Sequence, residues 1–435
     1  MKDLIEELYL TNRGFVTDDY RACLDHIDEH ELPLTYHEYP SGTIVWDSWE
    51  VPQKWSVEHA YIDADGDRLL SFDDHPLHLI SYSSSYEGWV KREELLEHVH
   101  TDPNDPEAIP WHFRLNYRPW DEEWGFCASQ SFVESLDREE YYVSIDTRFE
   151  DDAMTVAEHH LSGEKEATVL IVAHLDHTGM ANDDLSGVAG GIELMRRLDR
   201  RDDLTYSYKF LVVQEMLGSA AYLADATTPD EFVCGVFLEM LGNDNRLLLQ
   251  QSFTGDSPVD RAATLALAES GVEHEVAGFR EQIGNDELVL ESPGFEIPTV
   301  SVSRFPYPEY HTHFDDPSII SEDRMEAAVE IVLSTLTALD EASVPERTFT
   351  GLPSLANPKH DLYLEPDEVA EEYGASPAAV RLFRNRMFRN LEGDQSTLDL
   401  AARFDLPFAF VNDYVQQLAD AGLVKVTATD VFDDS

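Results

Sequence analysis

Val169–Gly187 reads VLIVAHLDHTGMANDDLSG. Val169–Ala173 is a short apolar run, rich in β-branched residues and bounded by polar ones, as expected of a buried strand. His174, Asp176 and His177 follow at its C-terminal end. Asp183 and Asp184 come next, then Ser186-Gly187 and a helical pattern through Ile192, Leu194, Met195 and Leu198. Strand, polar loop and helix form the α/β unit whose ligands gather at the carboxyl ends of strands. Imidazoles and carboxylates converging there suit Zn²⁺ or a similar divalent ion. Asp176 is placed to hold the second ring nitrogen of His174 or of a neighbouring imidazole. The competing reading, a polar turn with histidines by chance, loses weight when the rest of the chain is read.

Downstream, Lys209–Val213 is a second buried strand, ending at Gln214-Glu215 with a helix from Gly218. Val233–Leu238 is a third, ending at Glu239, and Arg246–Ser252 and Glu296–Ser303 are two more. Helices are expected over Val259–Glu269 and, strongly amphipathic, over Met325–Leu339. The loop after Glu296–Ser303 leads to His311, Thr312, His313, Asp315 and Asp316. Strands alternating with helices predict an α/β fold with a mainly parallel, doubly wound sheet covered on both faces. On such a sheet His174, Glu215, Glu239 and His311 each stand at or just past the end of a different strand, and Asp183 opens a helix beside them. Buried acids need partners, and a metal ion supplies one. A carboxylate not used as a ligand can act as general base on metal-activated water.

The chain has 87 Asp+Glu against 30 Lys+Arg, a formal net charge of -57, yet 43% of its residues are hydrophobic. The acids are spread along the chain, so this is a folded acidic protein and not a disordered acidic tail. An acid-rich, lysine-poor surface suits concentrated salt, where self-repulsion is screened within a few Å. The reading is a cytoplasmic protein of a halophile; an acidic scaffold for cationic partners is the lesser alternative. The charge argues against nucleic acid and against anionic membranes as partners. Met1–Leu10 does not read as a signal peptide, no apolar run reaches membrane length, and Cys23, Cys127 and Cys234 have no paired zinc spacing.

Lys2–Glu31 is helical in pattern. From Trp46 the texture turns to short strands, Asp-Gly turns and aromatics, which marks residues 46–114 as a small inserted β-rich domain. Residues 1–45 and 115–346 then form a discontinuous catalytic domain, with strands Tyr141–Ile145 and Met154–Leu161 leading into Thr168–Ala173. Asp63-Ala-Asp65-Gly-Asp67 reads as a turn and not a calcium loop, since it lacks the later ligands. His59, His75, His78 and His112 lack ligand spacing and read as surface or core histidines. Arg347–His360 reads as a linker, and residues 360–435 as a winged helix: helix, turn, helix, then a hairpin. Its second helix, Phe408–Ala421, carries no Lys or Arg, so a protein-contact module is favoured over DNA binding. The Arg381, Arg384, Arg386 and Arg389 cluster reads as a solvated face paired with nearby acids.

AHLD at Ala173–Asp176, NDDLSG at Asn182–Gly187, EMLGS at Glu215–Ser219, GND at Gly284–Asp286 and YHTHFDD at Tyr310–Asp316 carry a resemblance. The chain resembles the zinc aminopeptidases of the bacterial leucyl aminopeptidase and glutamate carboxypeptidase clan. It is most similar to the branch with an inserted β-rich domain and a C-terminal winged helix; WDSWEVPQKW, HPLHLISYS and IPWHFRLNYRPWDEEWGFC resemble that branch too. The resemblance implies a zinc-exopeptidase-like fold. It implies His174, Asp183 and His311 as metal ligands, Asp176 as the acid orienting His174, and Glu215 as general base. Glu239 falls where two-zinc members place an aspartate ligand, and Asp286 and Tyr310 lie in motifs that imply substrate contact. The departure is at Gln214-Glu215-Met216, where two-zinc members have adjacent glutamates, so one zinc ion or two are both compatible. The expected function is a zinc aminopeptidase removing N-terminal residues from short peptides. Its rivals are a zinc amide hydrolase on a non-peptide substrate such as an amino sugar, and a catalytically silent metal-binding interaction protein. A peptide or other small amide is the expected partner; protein contacts through the winged helix and a homo-oligomer are compatible with the sequence.

Overall fold

The computed structural model describes residues 1–226, 231–427 and 431–432. Its centre is an eight-stranded sheet. In chain order the strands are β1 (Thr35–Pro40), β2 (Ala153–Leu161), β3 (Thr168–His174), β4 (Ser207–Val213), β5 (Phe232–Leu238), β6 (Leu247–Gln250), β7 (His274–Ala277) and β8 (Thr299–Ser303). Their spatial order is β1-β2-β4-β3-β5-β8-β6-β7. The four central strands β4, β3, β5 and β8 run parallel. Antiparallel β2 and β1 extend one side, and β6, antiparallel to β8, begins the other. The short strand β7 has no counterpart in the sequence reading.

Alternation along each buried strand divides two cores, because successive side chains point to opposite faces. Val169, Ile171 and Ala173 of β3, with Phe210 and Val212 of β4, face one core, shared with helices Gly187–Leu198, Pro258–Ser270 and Glu322–Glu341. Leu170, Val172, Leu211 and Val213 face the other, which holds helix Leu217–Asp225 and the inserted region. The expected doubly wound sheet with helices on both faces is therefore observed.

The insert builds a four-stranded antiparallel sheet from Lys54–Ala64, Asp67–Ser71, Tyr86–Lys91 and Glu140–Glu150. Asp65 and Gly66, at φ 54° and 91°, make its tight hairpin turn. The last strand corrects the sequence reading: Tyr141–Ile145 pairs with Lys54–Ala64 instead of leading into the central sheet, so this packing unit reaches beyond residue 114.

The N-terminal helical stretch is two helices, Lys2–Leu8 and Asp18–His30. Arg13 lies in the loop between them.

The C-terminal helices are Pro366–Tyr373, Pro377–Arg386, Thr397–Phe404 and Phe408–Asp420. Ser396 and Asp399 form a capping box that starts the third, and so set the helix boundary the sequence indicated. The strand after them, Val424–Thr427, pairs antiparallel with Val344–Arg347, at the start of the expected linker. The remainder of the expected wing hairpin, 428–430 and 433–435, lies outside the described residues. Leu398, Leu400, Val411 and Val415 belong to the same apolar core as Ala263, Leu267, Leu336 and Leu339 of the catalytic region. Arg261 pairs with Asp399 at 3.0 Å, and the Phe408 amide donates to Glu269 Oε1 at 3.0 Å. The C-terminal helices thus pack on the sheet domain and do not hang from a free linker.

Candidate metal centre

His174 is the last residue of β3. Glu215 lies two residues beyond β4, and Glu239 immediately follows β5. The chain turns sharply at this edge: Met216, Met240 and His311 are held at φ 56°, 49° and 56°. Such φ values cost a residue with a Cβ about 1 kcal/mol and persist where the surroundings over-determine them. Gly187 is required beside them, since a Cβ there would collide with the Asp184 carboxylate and the Leu238 carbonyl.

Asp183 is the hub. Its Oδ1 lies 3.2 Å from His174 Nε2, and its Oδ2 lies 3.2 Å from His311 Nε2 and 3.6 Å from His177 Nε2. Burial alone would raise the Asp183 carboxyl, but the imidazoles of His177, His174 and His311 outweigh it and hold it well below the usual range. Asp183 Oδ2 and His311 Nε2 have no hydrogen-bond partner among the described residues. Ligand atoms of His174, His177 and Asp183 lie within 4.8 Å of one another. Converging, unsatisfied nitrogen and oxygen donors in a buried pocket fit a divalent cation, and this imidazole-carboxylate set suits zinc. The structure thus brings together His174, Asp183 and His311, and adds His177, which stood in the motif without an assigned role.

The acids behind the ligands differ from expectation. Asp286, expected to contact substrate, is fully buried behind His174, with Oδ2 3.6 Å from His174 Nδ1. It also accepts from the Met216 amide at 2.9 Å and from the Ser219 hydroxyl. The orienting position assigned to Asp176 therefore belongs to Asp286. Asp176 accepts instead from the Glu215 amide at 2.7 Å, and burial pushes its carboxyl up to about 8. Its part is to fix the backbone that carries Glu215. Asp315 accepts from the amides of Asn182 and Asp183 at 2.6 and 3.0 Å and from the Tyr307 hydroxyl at 2.7 Å, so it clamps the Asp183 turn. Arg13, fully buried, donates to the carbonyls of Leu175, His177 and Met180 and holds the other side of the same loop.

Glu239 is buried near these groups, but its oxygens accept from Asn285 Nδ2 and, at 3.2 Å, from Ser301 Oγ. It stands outside the His174–His177–Asp183 group of ligand atoms, and its carboxylate is held in place by these two side chains. Tyr310 stacks on His311 with ring centroids 3.8 Å apart. Glu215 Oε2 accepts from the Tyr117 hydroxyl at 2.7 Å and lies 3.9 Å from His177 Nε2. The Glu215 carboxyl is raised, burial being the largest cause and the Tyr117 hydrogen bond opposing it.

Tyr117 was not singled out in the sequence, nor were Trp111 and Phe113. The Trp111 ring lies 4.3 Å from that of His177 and 5.0 Å from that of His311, and Phe113 lies 5.4 Å from His311. Backbone bonds from Trp111 N to His311 O and from His313 N to Ile109 O stitch this segment to the His311 loop. The aromatic run IPWHFRLNY at 109–117 was the available signal, but nothing local says which loop it meets. The centre is closed on this side: side-chain exposure is 1% at His174, 3% at His177 and 2% at Asp183, against 22% at His311 and 14% at Glu215, so solvent reaches it past those two. Ligand atoms of Asp176, His177 and Glu215 form an adjoining group that shares His177. A third group, His100, His112 and Glu123, differs in kind: its imidazoles stack on each other and Arg114 already pairs with Glu123.

A Clostridium acetobutylicum protein named "Putative polysaccharide biosynthesis protein with aminopeptidase-like domain" is 29% identical over 430 residues, 98% of this chain and 95% of that protein. The crystal structure of a "putative peptidase" from C. acetobutylicum matches with a TM-score of 0.86 at 26% identity, covering 98% of this chain and 96% of that one. BSAP, a zinc aminopeptidase from Bacillus subtilis, matches with a TM-score of 0.57 at 13% identity, covering 77% of this chain and 93% of that chain. The fold is that of the zinc aminopeptidases, as the sequence motifs implied. Residues 2–342 match the family described as "Domain of unknown function (DUF4910)", and the chain belongs to that family.

Proposed function

We propose that the chain is a zinc-dependent amide hydrolase, and specifically an aminopeptidase acting on short peptides in a salt-rich cytoplasm. The observation that carries this reading is the buried convergence of His174, His177, His311 and Asp183, with the carboxylate of Glu215 at its solvent-facing edge. His174, Asp183 and His311 would hold the ion, with His177 beside them. Zinc in this site supplies Lewis acidity toward the scissile carbonyl and the attacking water.

The chain's own residues do the rest. Glu215, 14% exposed and outside the inner ligand group, accepts the proton of the attacking water at its carboxylate and returns it to the leaving nitrogen. Tyr117 holds that carboxylate from one side, and Asp176 fixes its backbone amide from the other. Asp286 sets the ring of His174, and Asp315 sets the Asp183 turn. Buried Trp111 excludes bulk water, and half-buried Phe113 offers apolar surface to the substrate beside His311.

Hydrolysis of an amide on an amino sugar is the second reading. Its support is the name of the C. acetobutylicum relative, which refers to polysaccharide biosynthesis. The test is release of a chromogenic amine from aminoacyl anilides, set against deacetylation of N-acetylated amino sugars, each with and without chelator. Chelator-sensitive anilide cleavage supports the aminopeptidase. Sugar deacetylation alone moves the reading to the second substrate class, and bound zinc with neither activity leaves an interaction protein.

A further inference from the structure

A cavity of about 810 Å³ is lined by none of the residues of the metal centre. It lies between the 347–356 segment and helix Pro377–Arg386 with the turn that follows, and it is bordered by Arg347, Arg384, Arg386 and Arg389. Residues 376–391, SPAAVRLFRNRMFRNL, contain four arginines and no acid, in a chain where acids number 87 of 435 residues.

The expectation that nearby acids pair with this face is not met. Among the described residues the cleft is lined by one carboxylate, Glu392, which Arg347 already engages at 2.8 Å. Arg384 turns to the Leu364 carbonyl at 2.9 Å and lies over the Tyr363 ring at 4.8 Å. Arg386 and Arg389 are exposed, and no carboxylate among the described residues is within ion-pair distance, 4.0 Å, of either. Apolar side chains stand uncovered beside them: Leu352 is 86% exposed and Tyr363 49%.

We propose that this cleft binds an acidic peptide segment of a partner protein, one that carries an aliphatic or aromatic side chain beside its carboxylates. Guanidinium groups form planar, bidentate hydrogen bonds with carboxylates, and they shed water more readily than ammonium groups do. In concentrated salt, charge alone is screened within a few Å, whereas apolar contact is not weakened in that way. A ligand that holds there must use both, and the cleft offers both. A phosphate chain would satisfy the arginines but leave Leu352 and Tyr363 uncovered.

The test uses the full-length protein in molar KCl and fluorescence anisotropy. The probes are a pool of labelled twelve-residue peptides, each of Asp and Glu with one Leu, Phe or Tyr, and the same peptides with Asn and Gln in place of the acids. The acidic pool binds at least about tenfold tighter than the amide pool, as charge-assisted bonds at a few arginine anchors require. Arg386→Glu and Arg389→Glu each abolish that difference, with melting temperature and anilide hydrolysis unchanged. Equal binding of the two pools, or undiminished binding by both folded variants, overturns the proposal. Arginine-dependent binding of tripolyphosphate or of a single-stranded oligonucleotide, with none of the acidic peptides, also overturns it and assigns the cleft to phosphate.

Discussion

Replacing Glu215 by glutamine separates the roles this residue could have. The amide oxygen can still accept the Tyr117 hydrogen bond, which is 2.7 Å in the parent, and the backbone amide still bonds Asp176. The shape of the site and its His174–Asp183–His311 set are untouched, so zinc content should stay at the parent value. The proton acceptor is lost. General-base catalysis contributes roughly 10²–10⁴-fold, which is about 3–5 kcal/mol of activation free energy at roughly 1.36 kcal/mol per tenfold. Turnover of an aminoacyl anilide should therefore fall by about that factor, measured alongside metal content by plasma mass spectrometry. Tyr117→Phe is the companion. Its hydroxyl favours the charged form of Glu215, whose carboxyl burial already raises; without it the carboxyl rises further, and the acid limb of kcat/KM moves to higher pH. Parent-like turnover in Glu215→Gln, or loss of zinc with rate restored by excess zinc, would refute the general-base assignment; the second outcome would make Glu215 a ligand.

The other expectations can be checked with standard measurements. His174→Ala and His177→Ala should each lower bound zinc, and Asp286→Asn should weaken zinc binding by about 10–100-fold without abolishing it; unchanged affinity in all three would place the metal elsewhere. Deleting the chain after Gly351 removes the apolar partners of helices Pro258–Ser270 and Glu322–Glu341, so the truncated protein should melt well below the parent or aggregate in high salt; a parent-like melt would show the packing to be dispensable. Burial raises Glu158, but hydrogen bonds from His37 and Tyr222 and the charge of Lys209 prevail and leave it at about 2. A depressed carboxyl stabilises the fold above its unfolded value and stops doing so as pH falls through the folded one. Glu158→Gln should thus cost on the order of 2 kcal/mol at neutral pH, with the difference from the parent fading between pH 4.5 and about 2 in denaturant melts. With a net charge of -57, the melting temperature should fall as KCl is reduced from molar to millimolar; a flat response would count against the salt-adapted reading.

Much of the central architecture was legible because it is local. A fully apolar five-residue run can only be a buried segment, and the polar loop with a glycine after it places the ligands at the strand end. Val169–Ala173 divides its side chains between two cores as that reading requires. What failed was assignment across distance. Tyr141–Ile145 has the composition of any half-buried strand, and composition does not say which of two sheets it joins.

The sequence by itself determined the alternation of strands and helices, the metal-binding residue types at strand ends, and a net charge of -57. Each of these is a property of short windows or of totals. Only the tertiary structure decided that Asp286 and not Asp176 faces His174, and that His177 joins Asp183. The same holds for the Trp111–Tyr117 segment closing over His311, and for Arg386 and Arg389 facing an open cleft whose one lining carboxylate among the described residues, Glu392, is engaged by Arg347. Those facts turn on angles and distances of a few Å between residues tens to hundreds of positions apart. Loop paths and packing set them, and no periodicity in the chain encodes them.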